Sequence, residues 1–184
     1  MISEERVIRS EKIYEGKVVT LRCHTVELDG QRYGKREVVE HAGGACIVCF
    51  REDGSIPFVR QYRIATKKNL LELPAGFIEH DENPMTAALR ELSEETGLEA
   101  DSADFLLEAY TSPGFTNEKI YIFMCENPKQ GEQHLDETED LEVEYMQLDE
   151  ALRMVKLGEI IDAKTIIGLY AAKEMRDKKD ESSN

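Results

Sequence analysis

Glu91, Glu94 and Glu95 crowd three carboxylates into one short stretch. At about 100° per residue, an α-helix sets Glu95 one turn above Glu91 and Glu94 about 60° to the side, so the three share one patch. Like charges at this spacing repel by roughly 0.2–0.5 kcal/mol per pair on an isolated helix. The preceding turn adds Glu79, Asp81 and Glu82, and only Arg90 offers compensating charge within the helix. A divalent cation would resolve the conflict. Mg²⁺ takes carboxylate oxygens, keeps several waters, and is completed by substrate phosphates. The competing reading is a solvated acidic face in an acidic protein, the ordinary fate of a charge run.

The element that must position these acids is legible around them. Asn83 is a good N-cap, and Pro84 fits the first helical position, where no amide hydrogen is needed. Met85, Ala88, Leu89 and Leu92 recur at helical spacing and form one apolar face. Gly97 is a plausible stop. Upstream, Gly76 supplies a turn where backbone must pass closely.

The stretch reads Gly76, five residues, Glu82, seven residues, then Arg90-Glu91-Leu92-Ser93-Glu94-Glu95-Thr96-Gly97-Leu98. It resembles, without a mismatch, the Nudix box of the Nudix hydrolase family. The resemblance implies an α+β fold, an α/β/α sandwich in which helices flank a mixed sheet. It also implies a Mg²⁺ site, with Mn²⁺ as a possible substitute. Glu91 and Glu95 would bind metal, with Glu94 as a further ligand and the carbonyl of Ala75 as another. Arg90 would orient the glutamates through charge-assisted hydrogen bonds, which are the stronger kind.

Hydrolysis of a pyrophosphate also needs an in-line water and a group that activates it. The acidic run Leu135-Asp136-Glu137-Thr138-Glu139-Asp140-Leu141 offers Glu137 and Glu139, against the alternative of a solvated loop. ADP-ribose pyrophosphatases place a catalytic glutamate in a loop at this point. By that resemblance Glu137 is the preferred base, and Glu139 is a metal ligand or a support behind the ligands. Ser112-Pro113-Gly114-Phe115 reads as a turn from its Pro-Gly chemistry. Yet Pro113 lies 15 residues after Leu98, and a proline follows the box by about this distance in the ADP-ribose-hydrolysing branch. With Leu73-Pro74-Ala75-Gly76, the chain is similar to that branch over most of its length. The resemblance implies substrate contacts from Arg36, Arg63, Glu72, Pro113, Gly114 and Phe115, with Arg60, Tyr14 and Tyr33 as further candidates. The competing reading is plain surface residues for the arginines and a solvent-facing side chain for Glu72. The expected reaction is Mg²⁺-dependent hydrolysis of ADP-ribose to AMP and ribose 5-phosphate. The alternatives are another nucleoside diphosphate sugar such as GDP-mannose, or a catalytically silent domain that senses a nucleotide.

Composition narrows the classes further. With 184 residues and 41% hydrophobic content, the chain suits one main domain with enough core to fold without staples. A net charge of −15 disfavours binding to nucleic acid, which needs clustered Lys and Arg. Cys46 and Cys49 form a C-x-x-C inside the apolar run ACIVCF. Residues three apart on a strand point to opposite faces, which argues for buried thiols in a reducing cytosol rather than zinc or redox chemistry. The N-terminal MISEERVIRSEK lacks the apolar centre of a signal peptide, and no apolar run approaches membrane-spanning length. The expectation is a cytoplasmic protein without a membrane partner.

Three parts follow from the order of the chain. Residues 1–40 read as short strands at 17–22, 24–28 and 31–40 with a turn at Asp29-Gly30, an antiparallel region too polar to own a core. Family members of the ADP-ribose branch are homodimers that exchange such strands, and the same is expected here. Residues 41–176 form the main domain. Ala45–Phe50 is its central strand, and Pro57 suggests that the next strand is an edge or a strand start. Further strands fall at 69–73, 105–110, 119–125 and 143–148. Asp149 caps a helix to Leu157, and Asp162 caps a last helix to about Met175. Residues 177–184 are a polar tail.

Overall fold

A computed structural model describes residues 4–29, 32–135 and 140–182. It divides into two compact units, Met1–Gly43 with Tyr110–Lys119, and Gly44–Ala109 with Ile120–Asn184.

In the first unit, β1 (Arg6–Glu15), β2 (Thr20–Leu28) and β3 (Arg32–Glu40) form an antiparallel sheet in that order. The β1–β2 ladder runs from Arg6↔Glu27 to Glu15↔Thr20 and slips twice, between Val7 and Arg9 and between Lys12 and Tyr14. Val26 is the one buried hydrophobic side chain among the described residues of this unit. The backbone ladders hold the sheet, and cross-strand ion pairs join Arg6 with Glu27 and Arg22 with Glu40. Exposed pairs of this kind are worth about 0–1 kcal/mol each. The Pro113 loop belongs to this unit. Val39 N–H donates to the Phe115 carbonyl at 2.8 Å, and His41 N–H to the Asn117 side chain at 2.8 Å.

The second unit is built on β4 (Gly44–Phe50), whose residues are all buried. The remaining elements are β5 (Ser55–Arg63), β6 (Lys68–Glu72), β7 (Ala75–Phe77), α1 (Pro84–Thr96), β8 (Leu98–Glu99), β9 (Asp104–Tyr110), β10 (Lys119–Glu126), β11 (Lys129–Gln130), β12 (Leu141–Gln147), α2 (Leu148–Leu157) and α3 (Ala163–Ser182). One sheet has the order β7-β4-β10-β9, with β4 and β10 parallel and β7 antiparallel to β4. A second has the order β12-β5-β6, all antiparallel. β8 and β11 pair separately.

Alternation along β4 sorts its side chains onto two cores. Ala45, Ile47 and Cys49 meet Ala87, Ala88 and Leu92 of α1, together with Leu98, Phe123 and Cys125. Cys46, Val48 and Phe50 meet Ile122, Met124, Leu73 and the α2–α3 side through Leu152, Ile160 and Leu169. This is the expected mixed sheet between helices. Each fully buried aliphatic contributes roughly 1.5–3 kcal/mol. The two cysteines of the C-x-x-C face opposite cores, and burial pushes the Cys46 thiol up to about 12. No described helix is long and apolar enough to cross a membrane.

Several elements differ from the sequence expectations. β1 is a full strand where none was assigned. β2 is one strand across Cys23. β5 is the central strand of its sheet despite Pro57, because the β6 ladder begins only at Val59↔Glu72, leaving that side of Pro57 unpaired with β6. α2 starts at Leu148 with Gln147 as a cap residue whose side chain donates to the Asp53 carbonyl rather than capping the helix, so Asp149 lies in the first turn. α3 runs past Met175 to Ser182.

Candidate active site

The acid-bearing helix is capped as its sequence demands. The Asn83 side chain accepts from Met85 N–H at 2.9 Å, Pro84 opens the helix, and Gly97 closes it. With its apolar face on β4, α1 turns Glu91 and Glu95 inward to 9% and 2% exposure. Buried carboxylates demand partners, and the chain just before α1 supplies them.

Ala75 N–H donates to Glu95 Oε2 at 3.0 Å. At Gly76 the fit is closer still, since a Cβ there would lie 2.1 Å from the Glu91 carboxylate. A side chain at position 76 would push the Glu91 carboxylate aside, and glycine there lets Gly76, Ala75, Glu91 and Glu95 form one cluster.

Arg90 splints the cluster. Its Nε and Nη2 donate to the two oxygens of Glu82 at 2.9 and 3.0 Å, Nη1 to Glu91 and Glu94 at 2.8 Å each, and Nη2 to the Phe77 carbonyl at 3.0 Å. Those bonds occupy every N–H that a guanidinium has. The hydrogen bond to Glu82 leads the causes that raise the Arg90 pKa, outweighing its burial. The same bond holds the Glu82 carboxyl below its ordinary value. Glu82 Oε2 also accepts from Glu79 N–H at 3.0 Å, which closes the turn into the helix. In the sequence Glu82 is one of the acids of the preceding turn and a position of the box, with no role of its own. Its place eight residues before Arg90 is the only local hint.

The groups that could hold a cation here offer only oxygen: the carboxylates of Glu91, Glu94 and Glu95, with the Ala75 carbonyl adjacent to Gly76. That suits a hard divalent cation such as Mg²⁺ or Mn²⁺. Buried carboxylates outnumber the one cation on the helix, which fits the same group. Among the described residues no three such side chains are already gathered at ligating spacing. Glu91 and Glu94 are instead turned toward Arg90.

Arg63 and Glu72 meet each other. Arg63 Nε and Nη2 reach the two Glu72 oxygens at 2.7 and 2.8 Å, a bidentate pair. Lys164, a residue sequence reasoning passed over, also bonds Glu72 and lies 3.1 Å from Asp162. Burial works against the Glu72 charge, but the Arg63 hydrogen bonds and the Lys164 ammonium outweigh it and hold the carboxyl down at about 2. Arg60 pairs with Glu144.

Arg36, Pro113, Gly114 and Phe115 lie in the first unit. Arg36 pairs with Glu5 and donates to the Lys35 carbonyl at 2.9 Å. Tyr14, Tyr33 and Phe115 are exposed. Glu137 and Glu139 lie outside the described residues. The chain that leads to them is tied to α1: His134 N–H donates to the Glu94 carbonyl at 3.0 Å, and the Gln133 side chain to the Glu95 carbonyl at 2.5 Å.

A mixed sheet between helices, with an acid-rich helix packed against Gly76, which lies in strand β7 rather than in the expected turn, defines a recognisable class. The NUDIX domain model matches residues 40–167, and the chain belongs to that family. It is 39% identical over 168 residues to the methanol dehydrogenase activator of Bacillus methanolicus, covering 90% of this chain and 91% of that protein. It is 39% identical over 164 residues to the ADP-ribose pyrophosphatase of Bacillus subtilis, covering 88% and 89%. A GDP-mannose pyrophosphatase of Cronobacter sakazakii is 37% identical over 172 residues, covering 85% and 89%. A crystal structure of an ADP compounds hydrolase superposes with a TM-score of 0.86 at 20% identity, covering 97% of each chain, which speaks to the fold.

Proposed function

We propose that the protein hydrolyses the pyrophosphate bond of ADP-ribose, with water as co-substrate and AMP and ribose 5-phosphate as products. The observation that carries this reading is the buried Glu91–Glu95 pair packed on Ala75 and Gly76, in a chain 39% identical to an ADP-ribose pyrophosphatase. GDP-mannose is the second reading, favoured by the 37% identity to an enzyme named for it.

Glu91, Glu94, Glu95 and the Ala75 carbonyl would hold Mg²⁺, or Mn²⁺ in its place. A cation bound there supplies charge for the phosphoryl oxygens and lowers the pKa of bound water. Arg90 keeps Glu91 and Glu94 on the helix face from which they reach it. Glu137 is our proposed base, taking the proton of the attacking water, and Glu139 a ligand or a support behind the ligands. The anchoring of Gln133 and His134 to α1 supports this, because residues a few positions before Glu137 are bonded to the turn bearing Glu94 and Glu95. Arg36, Arg63, Glu72, Pro113, Gly114 and Phe115 are proposed substrate contacts. Arg63, 40% exposed at its side chain, can meet a phosphate while Glu72 orients it from behind.

The test is a panel of ADP-ribose, GDP-mannose, UDP-glucose and NADH with Mg²⁺, a chelator control and product identification. AMP released chiefly from ADP-ribose is expected. Preference for GDP-mannose would select the second reading, and binding without turnover would move the protein to nucleotide sensing. Glu137→Gln and Glu139→Gln then separate base from ligand: a lost base leaves Mn²⁺ affinity unchanged, a lost ligand does not.

A homodimer through residues 1–40 completes the proposal. β1 is exposed along its whole length, with Val7, Ile8, Ile13 and Tyr14 each near half exposed on an edge strand, a surface that proteins otherwise protect. Deleting residues 1–38 is expected to give monomer or aggregate by sedimentation. A stable, active monomer would contradict the dimer.

A further inference from the structure

The chain that presents Ala75 is held from two sides. Pro74 has no amide hydrogen, so Leu73 and Ala75 carry the N–H groups that flank it. Ala75 N–H goes to Glu95 of α1 at 3.0 Å. Leu73 N–H goes to the hydroxyl of Thr165 in α3 at 2.8 Å. The Pro74 carbonyl accepts from Ile47 N–H at 3.1 Å. Glu72, the residue before, is gripped by Arg63 and by Lys164.

The α3 side of this grip is fully directed. Thr165 is buried at 0% exposure, and its hydroxyl gives its single proton to Asp162 Oδ2 at 2.7 Å. Its lone pairs are thereby left for Leu73. Asp162 Oδ2 also accepts from Thr165 N–H at 3.0 Å and lies 3.1 Å from the Lys164 ammonium. Gly168, one turn on, lets α3 lie against the same segment, since a Cβ there would come 2.9 Å from Leu73 Cδ1.

A helix cap alone does not need this. Asp162 and one backbone N–H would suffice, and apolar contact would hold α3 on the sheet. A buried hydroxyl, ammonium and carboxylate cost desolvation unless all are satisfied. What they add is direction, a fixed line from α3 into the backbone beside the cluster.

We infer that the first turn of α3 positions the cation site, with Asp162, Lys164 and Thr165 setting the Glu72–Gly76 backbone and, through it, the Ala75 carbonyl and the Glu95 carboxylate. This rests on reading Ala75, Glu91 and Glu95 as cation ligands. Asp162, Lys164 and Thr165 are bonded to Glu72 and Leu73 and to one another, and are not among the groups assigned to the cation. They are positioning residues that act through Leu73 and Glu72.

The test is Mn²⁺ binding to nucleotide-free protein, read by the electron paramagnetic resonance of free Mn²⁺ well below each variant's unfolding temperature. Thr165→Val, Thr165→Ser and Glu95→Gln are compared with wild type. Supporting groups behind metal ligands typically change affinity by roughly 10–100-fold. Thr165→Val is expected to weaken Mn²⁺ by at least the lower end of that range, and Thr165→Ser, which restores the hydroxyl, to stay near wild type. In turnover, the metal activation constant rises for Thr165→Val while the nucleotide KM at saturating metal does not. Wild-type Mn²⁺ affinity in Thr165→Val, with Glu95→Gln weakened, overturns the inference and leaves the site reading intact. Wild-type affinity in both overturns the site reading and the inference with it. Should Thr165→Val not fold, Lys164→Gln carries the same measurement: weaker Mn²⁺ is expected, and unchanged affinity overturns the inference.

Discussion

Glu95→Gln is expected to lower kcat by roughly a hundredfold or more, because residues that merely support metal ligands already cost up to that much. The fold is expected to survive. Glu95 is 2% exposed and accepts from Ala75 N–H, and a glutamine carbonyl can accept the same bond. The change also removes a buried negative charge, whose desolvation penalises the metal-free protein. Metal-free Glu95→Gln should therefore match or exceed wild type in Tm. Mg²⁺ should reverse the order, since a cation that binds only the folded state stabilises it by RT ln(1 + [L]/Kd). Wild type gains Tm with Mg²⁺, and the variant does not. Unchanged turnover at saturating Mg²⁺, or an equal Tm gain in both proteins, would remove Glu95 from the cation site.

What made Glu95 legible is that everything defining it is local. Its helix is started by Asn83 and Pro84, stopped by Gly97, and oriented by Met85, Ala88, Leu89 and Leu92, all within a few turns of the acids. Caps and periodicity act over such distances. β4 was equally plain, because a strand buried on both faces is a continuous apolar run. β1 was not. Arg6–Glu15 is exposed on every residue, so no buried face imposes alternation on it. Pro57 lies near the start of β5, one of its two expected places, although the strand is central rather than an edge. The rule that a proline avoids central strands applies to each ladder position, and β6 simply begins two residues later. The end of α3 eluded the apolar pattern because i,i+4 pairs continue the helix, Lys173 with Asp177 and Glu174 with Lys178. Such pairs favour a helix whose hydrophobic face has run out. At the site, Arg63 and Glu72 read from sequence as independent pocket residues. Their joint fate depends on Lys164, 92 residues beyond Glu72. No periodicity reports a partner at that separation.

Glu72 therefore carries the second large expectation, in stability rather than turnover. Its carboxyl titrates at about 2 in the folded protein against an ordinary 4.5. A depressed carboxyl binds fewer protons when folded than when unfolded, so its contribution is complete above pH 4.5 and is lost as pH falls toward 2. A shift of this size corresponds to about 3 kcal/mol. The loss should appear as an acid limb, with unfolding free energy from denaturant titrations falling between pH 4.5 and 2. Glu72→Gln separates this group from the other acids that protonate in the same range. At pH 7 it leaves Arg63 and the buried Lys164 ammonium without their shared counter-charge, and breaking a buried pair by removing one partner costs roughly 3–5 kcal/mol. The variant should thus be much less stable at neutral pH, and its deficit against wild type should shrink through the acid window. Parallel curves at all pH values would show that Glu72 is not held charged by Arg63 and Lys164. Because Glu72 adjoins the Leu73–Gly76 segment, the same titration asks whether the backbone beside Glu95 stays anchored when its ionic tether is neutralised. Amide exchange at Leu73 and Ala75 should quicken together in Glu72→Gln, since their hydrogen bonds to Thr165 and Glu95 flank a single proline and open as one.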